Sequence, residues 1–482
     1  MHFTQFWNIM LATDSYKASH HAMLPDGLEY GESYGESRGG EYPFTLVFGM
    51  NYYLKSYLSG VQVTEEKIQE AIKFYNQHFG IDNVFNEEGW RYILEKYKGK
   101  LPLKIEALKE GTIIETKNIL YKISSTDKKC VWLVNWVETL LMKTWYPITI
   151  ATNSILGKEI LQYYHDLSGI TSNVDYLLHD FGYRGVASEE QAWIGGAAHL
   201  LSFRGTDTVA GIRMLQNYYS APMCGFSVPA SEHMVMTIRG RDKEIETYRE
   251  ILRNHGKGTK FENVPLSLVS DTYDVYNVCN FIFDDEECRQ LIMERNAPFV
   301  IRPDSGDPVE VLEKCLEIIA EKFGFEINEK GYKTVYSKIK FLQGDGITVH
   351  TMRDILEYLV VRKNWSIDNL IFGSGGGLLQ SFNRDTLKFA IKASYAIVDG
   401  EAIDVYKDPI TSGGSKTSKR GMLYCIRDEH GHYSTMNHHE IDEHNISLKN
   451  NALEEVFYNG DILVDVTYDE ILENIAYHKT LY

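Results

Sequence analysis

The chain has 482 residues, 44% hydrophobic and 24% charged, with a formal net charge of −18. That length suits two or three domains with well-buried cores, and an acidic balance without a long basic stretch excludes an ordinary nucleic-acid binder. No apolar run approaches membrane-spanning length, and six scattered cysteines without a C-x-x-C pair argue against a disulfide framework or a structural zinc site.

In chain order, the opening Met1-His2-Phe3-Thr4-Gln5-Phe6-Trp7 lacks the basic start and long apolar stretch of a signal peptide. With the cysteine pattern, this predicts a reduced, cytoplasmic protein. Residues 64–78 have helical periodicity after Thr64, with Glu65 and Glu66 placed as in a capping box. Residues 101–105 and 112–115 alternate like strands, with Lys109-Glu110-Gly111 as the turn. Residues 131–145 predict a long apolar helix, so 1–145 reads as the N-terminal part of an α+β domain. No internal repeat or low-complexity tract interrupts it.

From about residue 146 short apolar runs recur, each followed by polar residues or glycine and then a helical stretch. The runs are 176–178 before His179-Asp180, 200–203 before Arg204-Gly205-Thr206-Asp207, and 225–228 before Pro229-Ala230-Ser231-Glu232-His233. Then come 266–269 before Ser270-Asp271, 298–301 before Arg302-Pro303-Asp304, and 339–342 before Gln343-Gly344-Asp345. The seventh, Leu370-Ile371-Phe372, runs into Gly373-Ser374-Gly375-Gly376-Gly377. Seven strand–turn–helix units in series predict an α/β fold with a closed (β/α) barrel over 146–395. Long gaps such as 239–264 should hold helical or loop insertions. Beyond about 395 the pattern returns to strands, with 422–426 and 433–436 as a hairpin. Residues 396–482 are expected to pack with 1–145 as one discontinuous α+β domain.

In a barrel of this kind the turns after the strands meet on one face. That face would gather acids at 180, 207, 271, 304 and 345 with Arg184, Arg302 and His233. A single strand-end acid is ordinarily a helix cap. Five on one rim suit Mg²⁺ and sugar hydroxyls, and the arginines suit phosphate oxygens. The glycine run lets backbone N–H groups approach an anion, aided by a helix start expected at Leu378. Together they describe a site for a phosphorylated sugar with a polyphosphate leaving group.

Leu11-Ala12-Thr13-Asp14-Ser15-Tyr16-Lys17, His179-Asp180-Phe181-Gly182-Tyr183-Arg184-Gly185, Gly205-Thr206-Asp207-Thr208, Ser227-Val228-Pro229-Ala230-Ser231-Glu232-His233, Ile301-Arg302-Pro303-Asp304-Ser305-Gly306 and Gln343-Gly344-Asp345-Gly346 carry a resemblance. With the glycine run, they resemble the nicotinamide phosphoribosyltransferases of the type II phosphoribosyltransferase family. The resemblance extends from about Leu11 to the region of Lys407-Asp408-Pro409, and more weakly to the C-terminus. It implies the barrel of that family and transfer of phosphoribose from phosphoribosyl pyrophosphate to nicotinamide, giving nicotinamide mononucleotide and pyrophosphate. It also implies Mg²⁺, ATP as a coupling substrate, and a homodimer whose active sites draw on both subunits.

Residue by residue, the resemblance implies that Phe181 stacks on the pyridine ring and that Tyr16, beside Asp14, closes over it from the partner chain. Asp207 would accept a hydrogen bond from the carboxamide, with Arg184 beside the ring and the leaving group. Arg302, Asp304, Gly344 and Asp345 would contact ribose and phosphate, and Gly375 with Gly376 would cradle the 5′-phosphate. Asp271 and Asp304 would be the magnesium-side acids, while Arg38, Arg384 and Lys392 would come from the other subunit. His233 would be the histidine phosphorylated when ATP hydrolysis is coupled to synthesis. Ala390 departs from the small hydroxyl residue of animal forms, and 239–263 and 411–416 diverge.

Other readings compete. His179 reads as a structural histidine, Lys416, Lys419 and Arg420 as a solvated basic turn, and Tyr16 and Phe181 taken alone as core or interface aromatics. A nicotinate-using phosphoribosyltransferase would share fold and mechanism, but Asp207 would repel the nicotinate carboxylate. A phosphosugar isomerase or aldolase would need a lysine or base at a strand end, and no run places a lysine there. A non-catalytic nucleotide-sensing protein could retain the pocket.

Overall fold

The computed structural model describes residues 7–412 and 417–480; Met1-His2-Phe3-Thr4-Gln5-Phe6 and Lys416 lie outside the described residues. Its internal contacts divide the chain into two compact units. One comprises the chain up to Thr152 with Leu215–Ala221 and everything from Phe382 onward; the other comprises Asn153–Met214 and Pro222–Ser381.

The first unit is built on a seven-stranded antiparallel sheet. Its strands run in the order Glu401–Asp404, Phe389–Val398, Leu28–Ser37, Ile119–Ser125, Leu103–Ala107, Glu454–Tyr458 and Asp461–Ile462. The central Ile119–Ser125 is buried at every position, and the apolar helix Trp132–Leu141 packs against it. The strand's polar residues Lys122, Ser124 and Ser125 are buried with the apolar ones. Lys122 stays buried there because Glu32 lies 3.3 Å away on the adjoining strand.

Several local expectations need correction. The segments 101–105 and 112–115 do not pair as a hairpin: Leu103–Ala107 pairs with Ile119–Ser125 and Glu454–Tyr458, while Ile113–Glu115 pairs with Phe44–Leu46. Glu110 in the expected turn is buried. Helix Glu65–Phe79 is capped on one side only, because Thr64 accepts from the Lys67 N–H and Lys67 cannot return the bond. The expected helix over 131–145 is Trp132–Leu141, followed by a 3₁₀ turn and a second helix, Trp145–Ser168. The expected hairpin is present as Leu423–Arg427 paired with Tyr433–Asn437.

The second unit is the parallel barrel. Leu178–Asp180, Leu370–Ser374, Ile339–Gln343, Phe299–Arg302 and Leu266–Val269 form a parallel sheet in that order. Single parallel bridges Ala230↔Ser267, Gly205↔Phe226 and Asp180↔Thr206 carry the ring from the last strand back to the first. Seven segments therefore close it. The run 200–203 is not one of them, because helix Glu189–His199 ends in a buried turn there and strand contact begins at Gly205. The strands are short and apolar, and Phe299, Ile301, Phe341, Leu370 and Phe372 belong to one buried core. Several return helices start on a side-chain cap: Ser188 before Glu189–His199, Asp274 before Val275–Asp284, and Asp307 with Pro308 before Pro308–Phe323. Thr348 and Thr351 form a capping box before Val349–Leu356. The divergent stretch 239–263 holds helix Glu244–Asn254, tied by Arg249 to Asp285 and by Arg253 to Glu287.

Candidate active site

The C-terminal ends of the barrel strands open on a cavity of about 860 Å³ lined by Phe181, Arg184, Asp207, His233, Arg302, Asp304, Gly344, Asp345 and Gly375. That volume holds two small substrates together. The short strands end at this rim, so polar residues that follow them, such as Asp304 and Asp345, lie there rather than in the core.

Asp207 follows the Gly205–Thr206 bridge segment, and its backbone N–H donates to the Asp180 carbonyl (2.9 Å). His179 Nε2 donates to Asp207 Oδ1 (3.1 Å), and Ser227 Oγ donates to the same oxygen. Burial alone would push this carboxyl up, but His179, Ser227 and the Arg302 guanidinium hold it below the usual carboxylate range. Gly205 makes room for the arrangement, since a Cβ there would stand 2.8 Å from His179 Nδ1. His179 is satisfied by its bond to Asp207, as a structural histidine would be, and that bond ties it to the carboxylate. It lies two residues before Phe181 on one extended segment, and that period-two spacing put both side chains on the same side. Ser227 carried no comparable signal.

Phe181 is half-buried, its ring centroid 5.1 Å from that of His179. The glycine run divides by task. A Cβ at Gly373 would stand 2.1 Å from the Phe181 ring, and one at Gly377 would stand 2.2 Å from the Ile347 carbonyl, so these two serve packing. Gly375 lines the cavity and Gly376 opens the helical turn Gly376–Leu379, whose first N–H groups lack intrahelical partners. The turn begins two residues before the expected Leu378. Behind Phe181, Asp180 is fully buried; its Oδ1 accepts from Gly182 N–H (2.7 Å) and burial pushes its carboxyl up to about 6.

Also at the cavity, His233 Nε2 donates to Asp271 Oδ1 (3.0 Å), and Arg302 Nε lies 3.8 Å from Asp304 Oδ1. Burial pushes the Asp304 carboxyl up; Asp271 and Asp345 add to this, and Arg302 and His233 work against it. Carboxylates that crowd one another in this way fit a hard divalent cation. Mg²⁺ usually takes only one or two protein carboxylates and completes its shell with water and substrate phosphate. Gly344 approaches Asp304 closely, a Cβ there standing 3.1 Å from its Oδ1.

Asp14, Tyr16, Arg38, Arg384 and Lys392 belong to the first unit and are not among the cavity's lining residues. Asp14 Oδ2 accepts from Thr139 Oγ1 (2.6 Å), and Tyr16 is 59% exposed. Arg38 Nε donates to Glu36 (2.8 Å). Burial lowers the Lys392 ammonium; Glu138 works against this, and Arg38, Lys407 and Arg384 add to it. Lys419 is not simply solvated: its Nζ pairs with Glu36, and its backbone N–H donates to Tyr34 OH (2.9 Å). Elsewhere in this unit Asp404, His438 and His439 stand together, but Met422 N–H already occupies the His438 Nδ1 lone pair (3.2 Å).

The barrel with an acid, arginine and glycine rim is that of the type II phosphoribosyltransferases, and comparison with known proteins agrees. The nicotinate-nucleotide pyrophosphorylase of Pyrococcus furiosus superposes with a TM-score of 0.62 at 16% identity, over 100% of this chain and 99% of that one. Human nicotinic acid phosphoribosyltransferase superposes at 0.56 and 12% identity, over 98% and 94%. The family model for the nicotinate phosphoribosyltransferase (NAPRTase) family matches residues 176–460, and that for the nicotinamide phosphoribosyltransferase N-terminal domain matches 8–105. A nicotinamide phosphoribosyltransferase of Xanthomonas campestris pv. campestris is 41% identical over 96% of this chain and 97% of its own length. One from Acinetobacter baylyi is 30% identical over 97% of each. The chain belongs to the nicotinate phosphoribosyltransferase family.

Proposed function

We propose that this chain transfers phosphoribose from phosphoribosyl pyrophosphate to nicotinamide, yielding nicotinamide mononucleotide and pyrophosphate. The observation that carries the choice of base is Asp207, an ionised carboxylate with Oδ1 fixed by His179 and Ser227. Oδ2 remains to accept from the carboxamide NH₂, whereas a nicotinate carboxylate would meet only repulsion. The relatives named for nicotinamide support the same reading.

Phe181 supplies the stacking face for the ring. The neutral pyridine nitrogen attacks the anomeric carbon, the C–N bond forms, and the C–O bond to pyrophosphate breaks. No proton moves, so no general base is needed. Asp304 and Asp345 face the sugar as it gains positive charge, and Arg302 and Arg184 face the departing oxygens. Asp271 and Asp304 would hold Mg²⁺, which would neutralise the pyrophosphate. As the pyridine becomes cationic, its attraction to the Phe181 face strengthens by roughly 0.5–2 kcal/mol.

ATP coupling would use His233. The Asp271 carboxylate accepts from Nε2–H, which leaves the Nδ1 lone pair as the nucleophile for the γ-phosphoryl group, with ADP leaving. Asp14, Tyr16, Arg38, Arg384 and Lys392 would serve the site of a second copy, in a homodimer. The test is turnover by the purified protein of phosphoribosyl pyrophosphate with Mg²⁺ and either nicotinamide or nicotinate, with and without ATP. Nicotinamide is the expected base. No turnover with either base would favour a nucleotide-sensing protein instead.

A further inference from the structure

Asp180 ends the strand Leu178–Asp180 and is fully buried, and it is not among the residues that line the barrel cavity. Both of its main-chain groups are tied to the neighbouring segment. Its N–H donates to the Gly205 carbonyl (3.2 Å), and its carbonyl accepts from the Asp207 N–H (2.9 Å). The backbone that leads to Phe181 therefore starts from a point fixed against the backbone that carries Asp207.

The side chain decides where the chain goes next. Oδ1 accepts from the Gly182 N–H (2.7 Å), which closes a turn with Phe181 as its central residue. Phe181 N–H donates to the Ser374 carbonyl (2.9 Å), and its ring lies against Gly373. Gly182 in turn lies against Leu379, where a Cβ would stand 2.6 Å from that side chain. Packing alone would be served by an apolar residue at 180, with no carboxyl to take out of water. Burial pushes the Asp180 carboxyl up to about 6 and Asp207 adds to this, while the Gly182 N–H, Thr208 and His179 work against it. The bond to the turn beneath Phe181 accounts for an acid in this place.

We propose that Asp180 is a positioning residue: through the Gly182 N–H it sets the Phe181 ring relative to the Asp207 carboxylate, so that a flat base carrying a carboxamide meets both. The inference rests on the reading of Phe181 and Asp207 as the residues that take the base. Asp180 itself touches no substrate, and its contribution is in place before the base arrives.

Steady-state kinetics of Asp180→Ala, Asp180→Asn, Phe181→Ala and the double variant of Asp180→Ala with Phe181→Ala test this. Asp180→Ala should raise KM for nicotinamide about tenfold and leave KM for phosphoribosyl pyrophosphate within about twofold. Asp180→Asn keeps an acceptor oxygen in the same place and should stay within about threefold of wild type for both substrates. Added to Phe181→Ala, Asp180→Ala should lower kcat/KM for nicotinamide by less than about twofold more, because the ring through which it acts is already gone. Thermal melting checks that the variants fold. Asp180→Ser, whose oxygen stops one bond short of the carboxylate's, replaces an unfolded Asp180→Ala, with an expected rise in nicotinamide KM of at least about threefold. An effect at 180 that is absent, that raises both KM values equally, that adds in full to Phe181→Ala, or that Asp180→Asn reproduces would overturn the inference and leave nicotinamide turnover standing. No turnover of nicotinamide by the wild type, or turnover indifferent to Phe181→Ala, would overturn the functional reading and this inference with it.

Discussion

His179 Nε2 stands 3.1 Å from Asp207 Oδ1, and Ser227 Oγ donates to that same oxygen. Two donors on one carboxylate oxygen leave the other oxygen with a defined direction. If that oxygen reads the carboxamide, His179 acts as a positioning residue for the base. His179→Ala should then lower kcat/KM for nicotinamide about tenfold, equivalent to ~1.4 kcal/mol, while KM for phosphoribosyl pyrophosphate changes less than about twofold. A merely structural role would move both constants and the melting temperature together.

The division of labour within the glycine run predicts a contrast between two neighbours. Gly373→Ala places a methyl group 2.1 Å from the Phe181 ring, so the ring must shift. Nicotinamide KM should rise roughly tenfold, as expected for lost stacking and misplacement. Gly375→Ala meets nothing closer than 3.5 Å, and its effect should fall on phosphoribosyl pyrophosphate. Steady-state kinetics with each substrate varied in turn separates the two patterns.

Much of this site was legible in the sequence because barrel chemistry is punctuated: a short apolar run, then the functional residue. Asp271, Arg302, Asp304 and Asp345 stand where that rule placed them, on the cavity rim or beside it. The rule failed at 200–203, where the apolar side chains end a buried helix and the true strand contact is the single bridge at Gly205–Thr206. One bridge carries no periodicity. It failed again at Lys109-Glu110-Gly111, because alternation indicates a strand but not its partner, and Ile113–Glu115 pairs with Phe44–Leu46, about seventy residues away in sequence. Ser227 was not legible at all, since its contact with Asp207 depends on which segments neighbour each other around the ring.

The His233–Asp271 pair predicts where phosphate would reside. With Nε2–H held by the carboxylate, phosphoryl transfer from ATP should occur at Nδ1, and ³¹P NMR of the denatured phosphoprotein distinguishes the two isomers. His233→Ala should abolish ATP hydrolysis and ATP stimulation while basal synthesis falls less. ATP stimulation that survives in His233→Ala would contradict the assignment.

A shared active site predicts complementation. Tyr16→Ala and Asp207→Ala chains should each be inactive alone. Co-assembled, they should recover up to about a quarter of wild-type activity, because a mixed dimer contains one intact site and half of randomly paired dimers are mixed. Full activity in a species that sediments as a monomer would sink the proposal.

The Asp207 carboxylate is expected to select the amide over the acid. Its carboxyl is held below the usual range, so the preference for nicotinamide should stay level between pH 5 and 8, a window about one unit or more above the ordinary Asp value of 3.9. Asp207→Asn keeps the shape, removes the charge and adds a donor. A site built to bond one group can reject its analogue by about 10⁴. The most direct measurement is kcat/KM for nicotinate and for nicotinamide in wild type and Asp207→Asn. Nicotinamide use is expected to fall and the nicotinate-to-nicotinamide ratio to rise at least tenfold; an unchanged ratio would contradict this role of Asp207.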